Sequence, residues 1–182
     1  MVQALVQMKN STYANENENF QSTYAVLFFG VPNQGMDIGS LIPMAGEQNL
    51  PLLVNLGKES ELLRVLHRDF LLSFDYRSSK VISYYETKVS PTAKWIEGRW
   101  KMKGERVVLV GQSSATHGRS WENLPHHIQA INRSHSNLVK FSANDEVYDR
   151  ILVRLKEFAE DSVKIVELRF ADKAGTLHSF IY

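Results

Sequence analysis

Cysteine is absent from the 182-residue sequence. That excludes disulfides, Cys-ligated zinc, iron–sulfur clusters and a thiol nucleophile. No apolar run approaches the roughly 18 residues needed to cross a bilayer, so no transmembrane segment is expected. Residues 1–10, MVQALVQMKN, have neither a basic start nor a long apolar stretch. They do not read as a secretory signal, and the chain is expected to be intracellular and cytoplasmic. Charge of one sign is not in excess: 21 basic residues face 20 acidic ones, for a net charge of +1. Such a balance gives no global case for nucleic acid or anionic lipid, and no nucleic-acid partner is expected. Three signature motifs are also missing. There is no G-x-S-x-G for an exposed serine nucleophile, no H-E-x-x-H for zinc, and no upstream glycine before Gly57-Lys58 to make a phosphate loop. No metal and no cofactor are expected.

What is present suits one soluble domain. Apolar residues make up 43% and charged residues 23% of the chain. Val2 to Met8 reads as the end of a helix. Asn10 to Gln21, rich in Asn and Glu, reads as a solvated loop. The apolar run Tyr24 to Phe29 fits a strand buried on both faces, closed by the punctuated loop Gly30-Val31-Pro32-Asn33-Gln34-Gly35. Lys58 to Phe74 predicts a helix, because Leu62, Leu66, Phe70 and Phe74 form one stripe. Lys80 to Tyr85 is a second strand. Trp95 to Met102 and Arg106 to Val110 are expected to pair around Lys103-Gly104. Asp145 to Ala159 predicts another helix, capped by Ser142 with Asp145 three residues later. Residues 161–182 read as a tail. This order favours α/β with a mostly parallel sheet flanked by helices.

In parallel α/β sheets ligands bind beyond the carboxyl ends of the strands. Glu86 follows the second strand, and His135 lies in the Ser134-His135-Ser136-Asn137 segment further on. A carboxylate that accepts a hydrogen bond from an imidazole fixes its tautomer and stabilises the imidazolium, so the pair could serve as base and orienting acid. The bland alternative is a solvated carboxylate and a helix-start histidine. Ser113, in Gly111-Gln112-Ser113-Ser114-Ala115, is the nearest lookalike to a nucleophile. It lacks the motif, however, and breaks the order Ser, acid, His; a loop serine explains it as well. His126 and His127 are adjacent and would point to different faces of a helix, as surface histidines do. The stretch Lys88 to Arg106 interleaves basic residues with Trp95 and Trp100. Single-strand binding would use those letters, but so would a hairpin with its aromatics packed, which is the expectation here.

The segment Ala25-Val-Leu-Phe-Phe-Gly-Val-Pro-Asn-Gln-Gly35 resembles the Phe-Phe-Gly-Thr-Pro-His-Arg-Gly segment of α/β-hydrolase-fold serine esterase or lipase-like domains. Such domains are common in fungi, often ahead of nucleotide-binding and repeat modules in NOD-like receptor architectures. A related family is the serine active-site-containing protein, associated with phosphatidylglycerol remodelling at mitochondria–endoplasmic reticulum contacts. Further similar strings follow in order: Leu56 to Leu63, Ile82 to Thr87, Ser113 to Thr116, Ser134 to Phe141 and Asp145 to Tyr148. The resemblance implies a partial α/β-hydrolase fold over residues 1–160, without its N-terminal strands. It implies that residues 1–10 are the helix that follows the nucleophile elbow. Glu86 takes the place of the acid and His135 that of the base. Complete relatives would hydrolyse carboxylic esters, including those of lipids, and mitochondrial or endoplasmic reticulum association would follow. Asn33 and Gln34 depart from the usual His and Arg. With the elbow and its oxyanion donors upstream of Met1, the chain is expected to be a truncated, inactive pseudoenzyme. The alternative is an interaction or signalling module of the NOD-like receptor type, with a protein partner at an exposed sheet edge.

Overall fold

The structure, a computed structural model, describes residues 1–39, 41–74 and 79–179. The chain is mixed α/β. Its main sheet has three strands, β1 (Ala25–Phe29), β2 (Lys80–Glu86) and β7 (Ile128–Ile131), in the order β1-β2-β7. The intervening short strands are β3 (Ser90–Pro91), β4 (Lys94–Ile96), β5 (Arg99–Lys101) and β6 (Arg106–Val107). The helices are α1 (Val2–Asn10), α2 (Ala14–Ser22), α3 (Ile42–Leu56), α4 (Glu61–Ser73), α5 (Gln112–Ala115) and α6 (Glu146–Ser179). Among the described residues no helix is long and apolar enough to cross a membrane.

The sheet is parallel. Strand β2 meets β7 with Ser83 opposite Ile128 and Glu86 opposite Ile131. Against β1, Lys80 N–H donates to Tyr24 C=O and Gly30 N–H to Tyr84 C=O, so both strands advance together. The central position of β2 explains its composition. Val81, Ile82, Ser83 and Tyr84 are buried in succession, as a strand covered on both faces requires. Strand β1 differs from the expectation of burial on both faces. Only Val26 and Phe28 are buried, while Ala25, Leu27 and Phe29 are partly covered, as suits an outer strand of the sheet.

The chain divides into two compact units, Met1–Val26 with Leu72–Val81 and Phe141–Tyr182, and Leu27–Leu71 with Ile82–Lys140. In the first unit, segment 10–21 is not a loop: Ala14–Ser22 is helical. Its Glu and Gln residues are adequate helix formers. The decisive contact is Phe20 against Phe74, an edge-to-face pair with centroids 6.5 Å apart. Helix α6 starts on Asp145 itself, whose carboxylate accepts the N–H groups of Val147 (3.0 Å) and Tyr148 (3.4 Å). Ser142 is not the cap. The helix then continues through the segment read as a tail, whose last three residues lie outside the described ones.

In the second unit, Met36, Val110 and Ala115 form a buried cluster, with Leu41, Leu56 and Leu109 packed on it. Helix α4 falls within the predicted Lys58 to Phe74, and of the predicted stripe Phe70 is buried and Leu66 partly covered, but Leu62 is 45% exposed; the Ser60 hydroxyl caps the helix by accepting Leu63 N–H at 3.1 Å. Two pairings differ from expectation. Trp95 to Met102 folds on itself as β4 and β5, while β6 pairs with β3 (Ser90 opposite Val107). The turn between β4 and β5 is Glu97-Gly98, with φ of 52° and 74°, a left-handed pair that suits a tight hairpin. Trp95 and Trp100 are 57% and 37% exposed, so the aromatics are not on a packed face.

Candidate functional site

Glu86 ends β2 and His135 follows β7, at the carboxyl edge of the parallel sheet in the second unit. The structure brings them together: His135 Nδ1 lies 3.0 Å from Glu86 Oε2. The other carboxylate oxygen, Oε1, accepts the backbone N–H groups of Leu109 (2.8 Å) and Val110 (2.7 Å). Glu86 is 1% exposed. A carboxylate so deeply buried is tolerable only when its lone pairs are satisfied, and here three donors surround it. The imidazole is different: its side chain is 36% exposed, so solvent reaches the ring.

Two further contacts seat His135. Its backbone N–H donates to Ser90 Oγ at 3.2 Å. Its ring lies close against Gly30, which has φ +58°. A Cβ there would fall 2.9 Å from His135 Cε1 and 2.6 Å from Leu138 Cδ1. The strand-end glycine therefore serves two needs, a left-handed turn and room for the imidazole. The hydrogen bond that His135 donates to Glu86 raises the imidazole pKa above its ordinary value of 6.5; burial opposes the rise, and the carboxylate charge reinforces it. An imidazole with Nδ1 committed to a carboxylate presents Nε2 as the basic nitrogen.

Ser113 does not join the pair. It sits exposed on α5, and among the described residues no hydrogen bond links it to His135. Its carbonyl accepts Gln34 Nε2 at 2.7 Å. Gln34 Nε2 also reaches the Thr116 carbonyl (3.0 Å), and Asn33 Nδ2 donates to the Ala115 carbonyl at 2.8 Å. Asn33 and Gln34 thus tie the loop after β1 to α5 through backbone carbonyls. A cavity of about 390 Å³ adjoins this loop, with Asn33, Gln34, Lys58, Ser60, Arg64 and His67 in its wall. Glu86 and His135 are not among its lining residues.

A second His–Glu constellation went unread in the sequence. His117 is 2% exposed and lies among Phe28 (centroids 5.3 Å), Phe70 (4.8 Å) and His67 (5.6 Å, stacked). Glu122 Oε2 accepts the N–H groups of His117 (3.0 Å) and Arg119 (2.9 Å), and Glu122 Oε1 lies 3.4 Å from His117 Nδ1. Burial pushes the Glu122 carboxyl up. The His117 ring close beside it and the Arg119 and His117 backbone N–H groups outweigh it, and the group sits below its ordinary 4.5. Burial and the neighbouring His117 hold His67 below its ordinary 6.5. The signal for this cluster was available only as Glu122 standing three residues after Arg119, a helix-start spacing. His126 and His127 lie beside one another (centroids 4.3 Å), with His127 edge-on to Trp121. Among the described residues no group of three His, Asp or Glu side chains could hold a metal ion.

Scans against protein-family models, curated proteins and solved structures find no match to this chain.

Proposed function

We propose that this chain carries the acid–base arm of a serine esterase or lipase-like site of α/β-hydrolase type. Glu86 is the orienting carboxylate and His135 the general base; the substrate class is carboxylic esters. The observation that supports this is the 3.0 Å contact from His135 Nδ1 to Glu86 Oε2, with the second oxygen held by two backbone N–H groups. Such a carboxylate cannot swing away. It fixes the tautomer with the proton on Nδ1, leaves Nε2 free to take a proton from an attacking hydroxyl, and stabilises the imidazolium that results. General-base assistance of this kind contributes about 10²–10⁴-fold when a nucleophile is in reach.

The 182 residues hold no G-x-S-x-G, and Ser113 is not bonded to the imidazole. The chain by itself therefore does not turn over esters at a serine. Two measurements test the proposal together. Imidazole NMR of the full chain should show His135 protonated on Nδ1 in its neutral form, with a pKa that falls in Glu86→Gln. A fluorophosphonate probe should label no serine, and hydrolysis of p-nitrophenyl butyrate should not differ between the wild type and Ser113→Ala. A His135 pKa indifferent to Glu86→Gln would remove the relay. A labelled serine, at 113 or elsewhere, would show that the chain has its own nucleophile.

A further inference from the structure

Residues 88–106 leave the sheet just after Glu86, and the chain returns to that carboxylate at Leu109. The neck of this excursion is well fixed. Lys88 N–H donates to the Arg133 carbonyl, β3 pairs with β6, and Thr92 donates through both N–H (2.9 Å) and Oγ1 (2.6 Å) to the Glu105 carbonyl. Beyond the neck, β4 and β5 form a two-stranded ribbon that, among the described residues, pairs with no other strand. A two-stranded ribbon alone is marginal in water, so its side chains must account for it.

Those side chains sort by face. Trp95 stands directly opposite Trp100, with rings edge-to-face and centroids 5.3 Å apart. Met102, two residues along from Trp100, is 50% exposed. Successive strand residues alternate, so Lys94 opposite Lys101 and Ile96 opposite Arg99 occupy the other face. Like charges directly opposite destabilise a strand pair, and among the described residues Lys101 pairs with Glu97 while Lys94 has no ion partner. Across 88–106 six basic residues face two acidic ones, a net charge of +4 in a chain whose total is +1. The ribbon thus concentrates cations and exposed large apolar groups at one tip, while the rest of the molecule is net acidic. At the turn itself, Gly98 has nothing within 4 Å of where a Cβ would be, so the tip is open.

We infer that this ribbon docks the protein onto an anionic lipid surface. Trp95, Trp100 and Met102 enter the boundary between headgroups and acyl chains. Lys94, Arg99 and Lys103 meet lipid phosphates and carboxylates. Tryptophan suits that boundary because its ring is apolar and its N–H needs a polar partner. Each cation near an anionic leaflet is worth roughly a five-fold gain in binding constant. A single-stranded nucleic acid fits less well. Base stacking needs open ring faces, whereas these two rings lie at 71° with the edge of one on the other, and an exposed methionine adds aliphatic surface. The docking step involves no chemistry and does not rest on the hydrolase proposal. Its consequence for the site is positional. Ser90, in the neck, accepts the His135 backbone N–H, so a docked ribbon holds the Glu86–His135 pair close to the lipid.

The test is vesicle co-sedimentation of the full chain with tryptophan emission recorded in parallel. Phosphatidylcholine vesicles are compared with vesicles that also contain phosphatidylserine. Expected are at least about ten-fold tighter binding to the anionic vesicles, a blue shift of emission on binding, and release by high salt. Lys94→Gln, Arg99→Gln and Lys103→Gln combined, all at exposed positions, should lower binding about ten-fold or more with an unchanged circular dichroism spectrum. Trp95→Phe, which keeps an aromatic pair, should reduce the blue shift. Equal binding to neutral vesicles, no binding to either, or binding unmoved by the triple substitution overturns the inference. So does tighter binding to oligo-deoxythymidine than to vesicles, which would make the ribbon a nucleic-acid surface instead.

Discussion

Gly30 shows how one residue can carry both fold and site. Its amide belongs to the sheet, donating to the Tyr84 carbonyl at 2.8 Å, and its left-handed φ turns the chain sharply at the end of β1. The space a side chain would fill holds the His135 ring and Leu138, itself 1% exposed. Gly30→Ala therefore meets two penalties. A non-glycine residue in this region costs about 1–3 kcal/mol, and the added methyl group must push against a buried leucine and the imidazole. We expect a loss of about 2–4 kcal/mol in urea unfolding, with the His135 ring resonances shifted even under conditions where the variant is folded. Unchanged stability together with unmoved imidazole resonances would mean that Gly30 does not seat the ring. Glu86 is the complementary case. Its identity as a strand-end carboxylate was legible in the sequence, and so was its pairing with His135 as a candidate. The two backbone donors that hold it, Leu109 and Val110, were not, because the sequence read Arg106 to Val110 as one strand, whereas β6 ends at Val107 and the two donors lie in the loop after it.

Helix α6 makes the corresponding point for an element. Arg169 extends from it to donate to the Gln21 carbonyl (2.7 Å), the Thr23 carbonyl (3.0 Å) and Ser79 Oγ (2.8 Å), all within the first unit. Tyr24 packs edge-on against Phe158 of the same helix, at 6.2 Å. Hydrogen bonds from a charged donor are each worth about 1.5–3 kcal/mol, less where water competes. Arg169→Ala should cost roughly 2 kcal/mol, read as a lower urea midpoint, and should speed amide exchange in residues 160–172. A silent substitution would return that stretch to the status of a tail. Periodicity alone could not reveal it, because Arg169 is a polar residue whose partners are two carbonyls 148 and 146 positions away and a serine hydroxyl 90 positions away. The same limit explains the other differences. Helix α4 was legible because Leu62, Leu66, Phe70 and Phe74 repeat every four residues, although its start was read at Lys58 and the Ser60 cap was not read. Helix α2 was not, because its nine residues offer a single large apolar group, Phe20, and its role depends on Phe74. Helix α3 carries Pro51 in its interior, where proline removes a helical hydrogen bond and argues against a helix. Strand β7 is only four residues long and gains its place from pairing with β2.

For the molecule as a whole, net charge close to zero means that pH acts through particular paired or partly buried groups rather than through general repulsion. Among the described residues, three partly buried groups bear on the range from about pH 4 to 9, and they pull in two directions. His135 binds its proton more tightly in the folded chain than its ordinary 6.5 implies, because Glu86 hydrogen-bonds it. That contribution is fully present below pH 6.5 and is lost as pH climbs through the raised folded value. His67 is the reverse: burial first, then His117, disfavours its charged form. The fold favours the neutral ring, so stability is in place above pH 6.5 and is lost as pH falls through the lowered folded value. Glu122, held below 4.5 chiefly by His117 and the backbone donors against the opposing effect of burial, contributes above pH 4.5 and loses that contribution in stronger acid. Two groups therefore steepen the acid limb and one shapes the alkaline limb. Urea midpoints measured from about pH 4 to 9 should pass through a maximum near neutrality. His67→Gln should flatten the fall just below pH 6.5, and Glu86→Gln should flatten the fall above it, each leaving the other limb in place. If Glu86→Gln left the alkaline limb as it is in the wild type, the carboxylate would not be what holds the proton on His135.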